Sequence, residues 1–366
     1  MDKPPFHADH VGSLLRPQAL REARTATKRG EIDHAAQRAV EDRCIRDAVA
    51  RQEAIGLQVV TDGEFRRDWW HIDFLTGFDG VDAVADPGTA SFHNADEAVP
   101  VLTVTGKVRR SRPVMREPFT FLKSVCTRTP KLTIPSPSML HMRGGRPAIS
   151  GDAYPELEAF WADAVRAYRE EIADLAAAGC TYLQLDDVSF AYLCDEKIRA
   201  GYRARGDDPE RAPRTYVNAI NAALSGRPPQ MAVTIHTCRG NFKSTWMANG
   251  GYERVAEVVF GGLDVDGYFL EYDTQRAGGF EPLRFVPRGR KVVLGLVTSK
   301  SPELESKDAL KQRIDEASRY VPLEDLCLSP QCGFSSTHHG NALTEADQWR
   351  KLELIVEVAR EVWGTA

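Results

Sequence analysis

MAVTIHTC, residues 231–238, is a run of apolar and β-branched residues that closes on an imidazole and a thiol. Side chains two apart on a strand point the same way, so His236 and Cys238 at its end can reach one ion. In a barrel of parallel strands the chemistry sits at the C-terminal strand ends, where this pair falls. Seven further runs of the same kind surround it: HVGS at 10–13, LQVVTDGE at 57–64, KLTI at 131–134, TYLQLDD at 181–187, GYFLEY at 267–272, KVVLGLV at 291–297 and DLCLS at 325–329. Several end in polar, chemically capable residues, and longer amphipathic segments separate them. Eight such runs predict an α/β protein, a (β/α)8 TIM barrel. The chain has 366 residues, and α/β barrels routinely run past about 250 as one unit, so residues 1–366 are expected to form a single barrel domain.

The helical segments carry their own punctuation. Within 155–179, Phe160, Ala164, Tyr168, Ile172 and Leu175 share one face, and Gly179 stands where a glycine ends a helix. The last helix opens on a capping box of Thr344 and Asp347 and runs through Trp349, Leu352, Ile355, Val356, Ala359 and Val362. Segment 33–56 carries charges on most turns around a stripe of Ala39, Ile45, Ala48, Val49 and Ile55, so its charges are expected only to solvate it. Residues 77–112 depart from the rhythm: a Gly-, Asp-, Ala- and Pro-rich stretch leads into VPVLTVTGKV, which predicts an inserted β-hairpin. Such an excursion either covers the site or builds a contact between copies in a homo-oligomer.

Composition excludes several classes. Forty-seven basic against 52 acidic residues leave a net charge of −5, with no basic block to track a nucleic-acid backbone. No stretch approaches the roughly 20 apolar residues that cross a bilayer, and MDKPPFHADH lacks the apolar core of a signal peptide. A cytoplasmic location is expected. Seven thinly spread cysteines, an odd number, suit reduced thiols and leave Cys238 and Cys332 free for metal.

Four candidate ligands arise from three separate segments: His236 and Cys238 in VTIHTCRGN, Glu271 in GYFLEYD and Cys332 in LSPQCGFSS. Thiolates with an imidazole favour Zn2+ over magnesium or calcium. Glu271 lies beside Tyr272 and Asp273, so spacing alone leaves the choice of carboxylate open. Singly, each residue has a plainer account: a core histidine, small buried thiols, a carboxylate paired with an arginine. At successive strand ends they are harder to dismiss. His338 and His339 are expected instead in a solvated loop at the entry to the last helix.

The motifs HVGSLLRP, TDGEFRR, YLQLDD, HTCRGN, FLEYD, QCGFSS and EVAREVW, in that order, resemble the catalytic domain of cobalamin-independent methionine synthase, above all the short single-barrel members. The likeness runs over nearly the whole chain. It implies zinc held by His236, Cys238, Glu271 and Cys332, which would make a substrate thiol reactive. It also implies that Glu64 and Asp186 hold the ammonium of homocysteine, and the backbone of Val11, Gly12 and Ser13 its carboxylate. From the residues alone Asp187 competes with Asp186, and Glu64 is an alternative partner for Arg66 or Arg67. The family's proton donor falls on Lys300 instead of a histidine, and its folate-stacking aromatic falls on His141. Ser299, Lys300 and Ser301 could equally bind an anion. Trp69, Trp70 and His71 line the substrate site or pack its rim, and Arg239 and Asn241 bind substrate or tie down their loop.

The resemblance therefore implies methyl transfer to a thiol, homocysteine to methionine, from a methylated folate or another methyl donor. The related epoxyalkane–coenzyme M transferases suggest the alternative, alkylation of a different thiol by a different electrophile. Either way the expected partners are a small-molecule thiol and a methyl or alkyl donor, with no nucleic acid and no membrane.

Overall fold

The computed structural model describes residues 3–84 and 100–366. The first two residues and the stretch 85–99 of the inserted segment lie outside the described residues. Among the described residues ten strands follow in order: β1 (Val59–Val60), β2 (Asp79–Val84), β3 (Val101–Arg109), β4 (Thr129–Pro130), β5 (Leu132–Pro135), β6 (Tyr182–Asp187), β7 (Ala232–Thr237), β8 (Gly267–Glu271), β9 (Lys291–Val297) and β10 (Leu326–Pro330). Strands β5 to β10 form one parallel sheet in the order β10-β9-β8-β7-β6-β5. Strand β4, separated from β5 only by Lys131, pairs in parallel with β1. The N-terminal segment closes the ring: Ala8 bridges Leu328, and the Leu14 amide donates to the Gly63 carbonyl at 3.0 Å. The fold is a TIM barrel.

Two of its eight staves are less regular than their sequences suggest. Residues 10–13 form no strand, and 57–64 contribute only the two residues of β1. The backbone explains both. Gly12 has φ 139°, and a Cβ there would lie 2.7 Å from Thr133 Cγ2. Gly63 and Glu64 both take left-handed conformations, at φ 66° and 59°, with Asp62 Oδ1 accepting from the Glu64 amide at 2.8 Å. A non-glycine residue held there costs energy and is characteristic of functional loops.

Alternation along the strands divides the barrel into two environments. Leu132, Ile134, Leu183, Leu185, Val233, Ile235, Leu270, Val292, Leu294, Leu326 and Leu328 face outward into the main apolar core beneath the helices. Each such side chain stabilises the fold by about 1.5–3 kcal/mol on burial. The opposite parity faces inward and is largely polar. There Asp9, fully buried, accepts from Lys131 Nζ at 2.9 Å, Tyr182 Oη at 2.8 Å and the His10 amide at 2.7 Å. Above this pair the inward positions become Gln184, Asp186, His236 and Glu271, so the parity that keeps aliphatic groups outside delivers polar ones to the barrel mouth.

The helices end where their sequences say. His34–Ile55 is capped by Asp33 and stops at Gly56; Leu157–Ala177 stops just before Gly179; Glu345–Trp363 carries the Thr344–Asp347 capping box. The charges of His34–Ile55 do more than solvate it, because Glu41 and Asp42 flank the buried guanidinium of Arg66 at 3.2 and 2.7 Å. In the inserted segment β2 and β3 pair antiparallel. The Val108 amide donates to Tyr154 Oη at 2.7 Å, and Arg110 Nη2 reaches Asp174 at 2.6 Å, fastening the hairpin to Leu157–Ala177. No helix among the described residues is long and apolar enough to cross a membrane.

Candidate metal centre

His236 is the last residue but one of β7, Cys238 follows that strand, Glu271 ends β8, and Cys332 lies just past β10. Their ligand atoms all fall within 4.8 Å of one another, and all four residues are buried. Each is aimed by its surroundings. The Cys238 amide is held by the Asp187 carbonyl at 2.7 Å, and its sulfur accepts from the Gly240 amide at 3.3 Å. Glu271 Oε1 accepts from the Arg239 amide at 3.0 Å, and Glu271 is the carboxylate that clusters with the other three, while Asp273 lies 3.8 Å from Arg276 and Tyr272 turns against Phe280.

The cluster lacks internal satisfaction. Both ring nitrogens of His236 and Glu271 Oε2 are buried without a hydrogen bond. Cys238 and Cys332 stand with their sulfurs 3.4 Å apart. Their mutual hydrogen bond raises the Cys238 thiol and depresses Cys332 well below the ordinary thiol range. Burial raises Glu271, with Lys300 opposing. Two thiolates on one tetrahedral zinc would lie about 3.8 Å apart, so an ion fits with a shift of a few tenths of an ångström. The donor set, its burial and its unmet valences fit zinc.

A cavity at the barrel mouth opens on this cluster. His236, Cys238 and Cys332 line it, together with Val11, Ser13, Glu64 and Asp186. The amides of Val11, Gly12 and Ser13 donate to no group among the described residues, whereas their carbonyls accept from Gln184, Thr61 and Phe334. Glu64 Oε1 accepts from Thr133 at 2.8 Å and lies 3.8 Å from Arg67, while Oε2 has no partner. Burial raises Glu64 despite Arg67 and Arg16. Asp186 accepts from Gln184 at 2.7 Å; burial pushes it up to about 7, His236 opposing and Glu64 adding to the rise. Asp187 is spent on structure, accepting from Ser136, Ser138, Ser189 and the Phe190 amide. Asp186, and not Asp187, faces the cavity.

Other expected site residues are placed differently. His141 does not line this cavity: its Nδ1 lies 3.0 Å from Tyr216 Oη, its ring packs against Trp161, and burial lowers its pKa to about 4. Lys300 Nζ is buried with no hydrogen-bond partner, outside the lining but close enough for its charge to act on Cys238, Glu271 and Cys332. Ser299 is occupied with Gln331 and the Gly333 carbonyl. Trp70 lines the cavity; Trp69 stacks on Phe242 with His338 and His339 at its edge, so those histidines belong to an aromatic cluster and not to a merely solvated loop. Asn241 ties the loops together through Gly333 and Ser336, and Arg239 binds the Gly250 carbonyl. Arg143 and Tyr192 also line the cavity, and the sequence reading missed both.

Parallel-barrel architecture with a buried His/Cys/Glu/Cys cluster at the C-terminal strand ends defines a TIM barrel with a cluster of metal-ligand type at its mouth. The family model described as the cobalamin-independent synthase catalytic domain matches residues 6–361, and the chain belongs to that family. It is 48% identical over 364 residues to the uncharacterized protein YxjH of Bacillus subtilis (strain 168), covering 99% of this chain and 96% of that one. A solved structure, "Putative Vitamin-B12 Independent Methionine Synthase from Listeria monocytogenes", is 41% identical, covers both chains fully and superposes with a TM-score of 0.81. The 5-methyltetrahydropteroyltriglutamate–homocysteine methyltransferase of Mycolicibacterium paratuberculosis is 25% identical over 91% of this chain but only 41% of its own length.

Proposed function

We propose that this protein is a zinc-dependent methyltransferase that methylates the sulfur of homocysteine to give methionine. The observation that carries this reading is the cavity itself, which presents a metal-type cluster, a pair of carboxylates and a run of free amides together. Bound by His236, Cys238, Glu271 and Cys332, zinc would supply the acidity that holds an incoming thiol as its nucleophilic anion.

The remaining groups match an amino acid. Glu64 and Asp186, buried and short of partners, gain a cation; in their low-dielectric setting an ammonium that donates to both forms charge-assisted hydrogen bonds. The amides of Val11, Gly12 and Ser13 gain an anion without needing a charged side chain. Held at both ends, the substrate is left with one freedom, the swing of its sulfur toward the cluster. Lys300, beside the sulfurs with an unspent ammonium, is the chain's own candidate for protonating the departing donor.

A second reading has one observation in its favour: His141, at the position the resemblance assigns to folate stacking, is enclosed. The donor then differs from a folate, and the acceptor could be a thiol such as 2-mercaptoethanesulfonate. That acceptor has no ammonium, which leaves Glu64 and Asp186 without purpose. Purified zinc-loaded protein decides the matter when thiol loss is followed with homocysteine and with 2-mercaptoethanesulfonate, each against methylated folates and epoxides. Homocysteine is expected to react at least about 100-fold faster, the effect of unpaired buried charges on a substrate that lacks the matching group. Equal rates for the two thiols would overturn the assignment.

A further inference from the structure

Tyr192 carries a hydroxyl that the fold does not use. Tyr168 donates to the Pro135 carbonyl, Tyr182 to Asp9 and Tyr268 to the Phe260 carbonyl, each at 2.8 Å. Tyr192 is 3% exposed, and its hydroxyl is buried with no hydrogen-bond partner. Tyr272 shares that want but does not line the cavity at the barrel mouth, whereas Tyr192 does. A phenylalanine would fill the same apolar surroundings, and a hydroxyl withdrawn from water without a partner is costly.

The turn that carries Tyr192 is pinned from β6. Asp187, the last residue of that strand, accepts from Ser189 Oγ at 2.7 Å and the Phe190 amide at 3.2 Å, and the Tyr192 amide donates to the Val188 carbonyl at 2.9 Å. Val188 and Tyr192, one helical turn apart, face the cavity together. Opposite stands Gly240, at φ 92°, where a Cβ would lie 2.9 Å from Tyr192 Oη. The Gly240 amide donates to Cys238 Sγ at 3.3 Å, so the hydroxyl abuts the loop that carries a ligand of the cluster. Burial holds the phenol well above its ordinary range, Arg143 opposing and Cys238, Glu271 and Cys332 adding to the rise, which leaves a protonated hydroxyl available as a donor. Arg143 lines the same cavity with its Nε and Nη1 buried and unpartnered, and its charge favours an anion there.

Homocysteine and methionine offer Glu64, Asp186 and the amides of residues 11–13 the same ammonium and carboxylate, so those groups grip substrate and product alike. Only the sulfur differs: an anion before transfer, a thioether after it, and a thioether is a weak acceptor. We infer that the Tyr192 hydroxyl donates a hydrogen bond to the anionic sulfur of the bound acceptor, reinforced by Arg143, and so makes the site prefer the substrate thiolate over the product thioether. The inference rests on the thiol-activating function proposed above. The bond is strong while the sulfur carries charge and lapses when methylation removes it, which loosens the hold on the product. Tyr192 is thus a specificity-determining residue that touches the reacting atom, and Arg143, acting through the hydroxyl, is a positioning residue.

Tyr192→Phe removes one oxygen and leaves the ring. Zinc-loaded wild type and variant, compared for metal content by elemental analysis, are titrated with homocysteine and with methionine by calorimetry at one pH. The metal also favours the thiolate, so part of the preference stays in the variant. The ratio of the methionine Kd to the homocysteine Kd is expected to fall about tenfold or more in Tyr192→Phe, the effect of losing a hydrogen bond to a charged group, with methionine affinity changed by less than about twofold. Arg143→Gln should lower the same ratio by a smaller factor; an unchanged ratio there removes the guanidinium from the inference. An unchanged ratio in Tyr192→Phe overturns it, whether both affinities hold or fall together, and so does loss of zinc from that variant, which would make the hydroxyl structural. If the wild type itself shows no preference for homocysteine, the thiol-activating function fails; a preference that outlives the hydroxyl in full sinks only the Tyr192 assignment.

Discussion

Replacing Cys332 by serine removes one sulfur from the cluster and almost nothing else. The side chain is 3% exposed, and its sulfur meets Cys238 Sγ at 3.4 Å and Ser336 Oγ at 3.8 Å, so a hydroxyl of similar size fits the same space. Its effect on folding should stay within about 1.5 kcal/mol, a shift of only a few degrees in the melting temperature of the metal-free protein. The metal should respond very differently. A closed four-ligand zinc site contributes about 10–16 kcal/mol at neutral pH, so one ligand carries about 2.5–4 kcal/mol, or roughly 10²–10³ in affinity. The Cys332 sulfur and burial raise the Cys238 thiol, so zinc uptake displaces its proton and affinity should rise with pH. Competition against a chromophoric chelator gives the affinities, and elemental analysis the stoichiometry. Cys126→Ser, at a partly exposed thiol distant from the cluster in sequence and structure, serves as control. If Cys332→Ser holds zinc as tightly as the wild type and turns over at full rate, the ligand assignment is wrong and the thiol chemistry built on it falls.

Two further perturbations probe the substrate side. Burial lifts Asp186 to about 7, whereas a bound ammonium needs its anion, so affinity for an amino acid should increase as pH rises through about 7. Methionine, which has no thiol to confuse the titration, should bind about tenfold more weakly at pH 6 than at pH 8 in calorimetry, by linkage to that single group; a slope that persists in Asp186→Asn assigns the titration elsewhere. Lys300→Ala removes a buried ammonium whose charge reaches the cluster and should lower turnover by roughly 10²-fold or more. Unchanged turnover takes Lys300 out of the reaction.

Period and parity made much of this molecule legible, and the same reasoning shows where legibility stopped. Alternation in TYLQLDD and MAVTIHTC sends Leu183, Leu185, Val233 and Ile235 outward and Gln184, Asp186 and His236 inward, so strand positions and metal candidates follow from one rule. The rule also distinguishes Asp186 from its neighbour, once the strand's phase is known from the aliphatic residues between. It fails where the backbone leaves regular geometry: Gly12, Gly63 and Glu64 take positive φ, and the two staves that contain them give up strand pairing while Val11, Ser13 and Glu64 line the cavity. Loops obey no period, and there a residue's role depends on what reaches it from elsewhere. His141 looks available in PSPSMLHMRGG, yet Trp161 and Tyr216, from two separate helices, enclose it. Arg143, two positions on, looks like any loop arginine, yet it lines the cavity with its Nε and Nη1 buried and without a hydrogen-bond partner. A positive group can be read from one residue, but its lack of a partner is a property of the whole barrel mouth, and that lack is what points outward to a ligand.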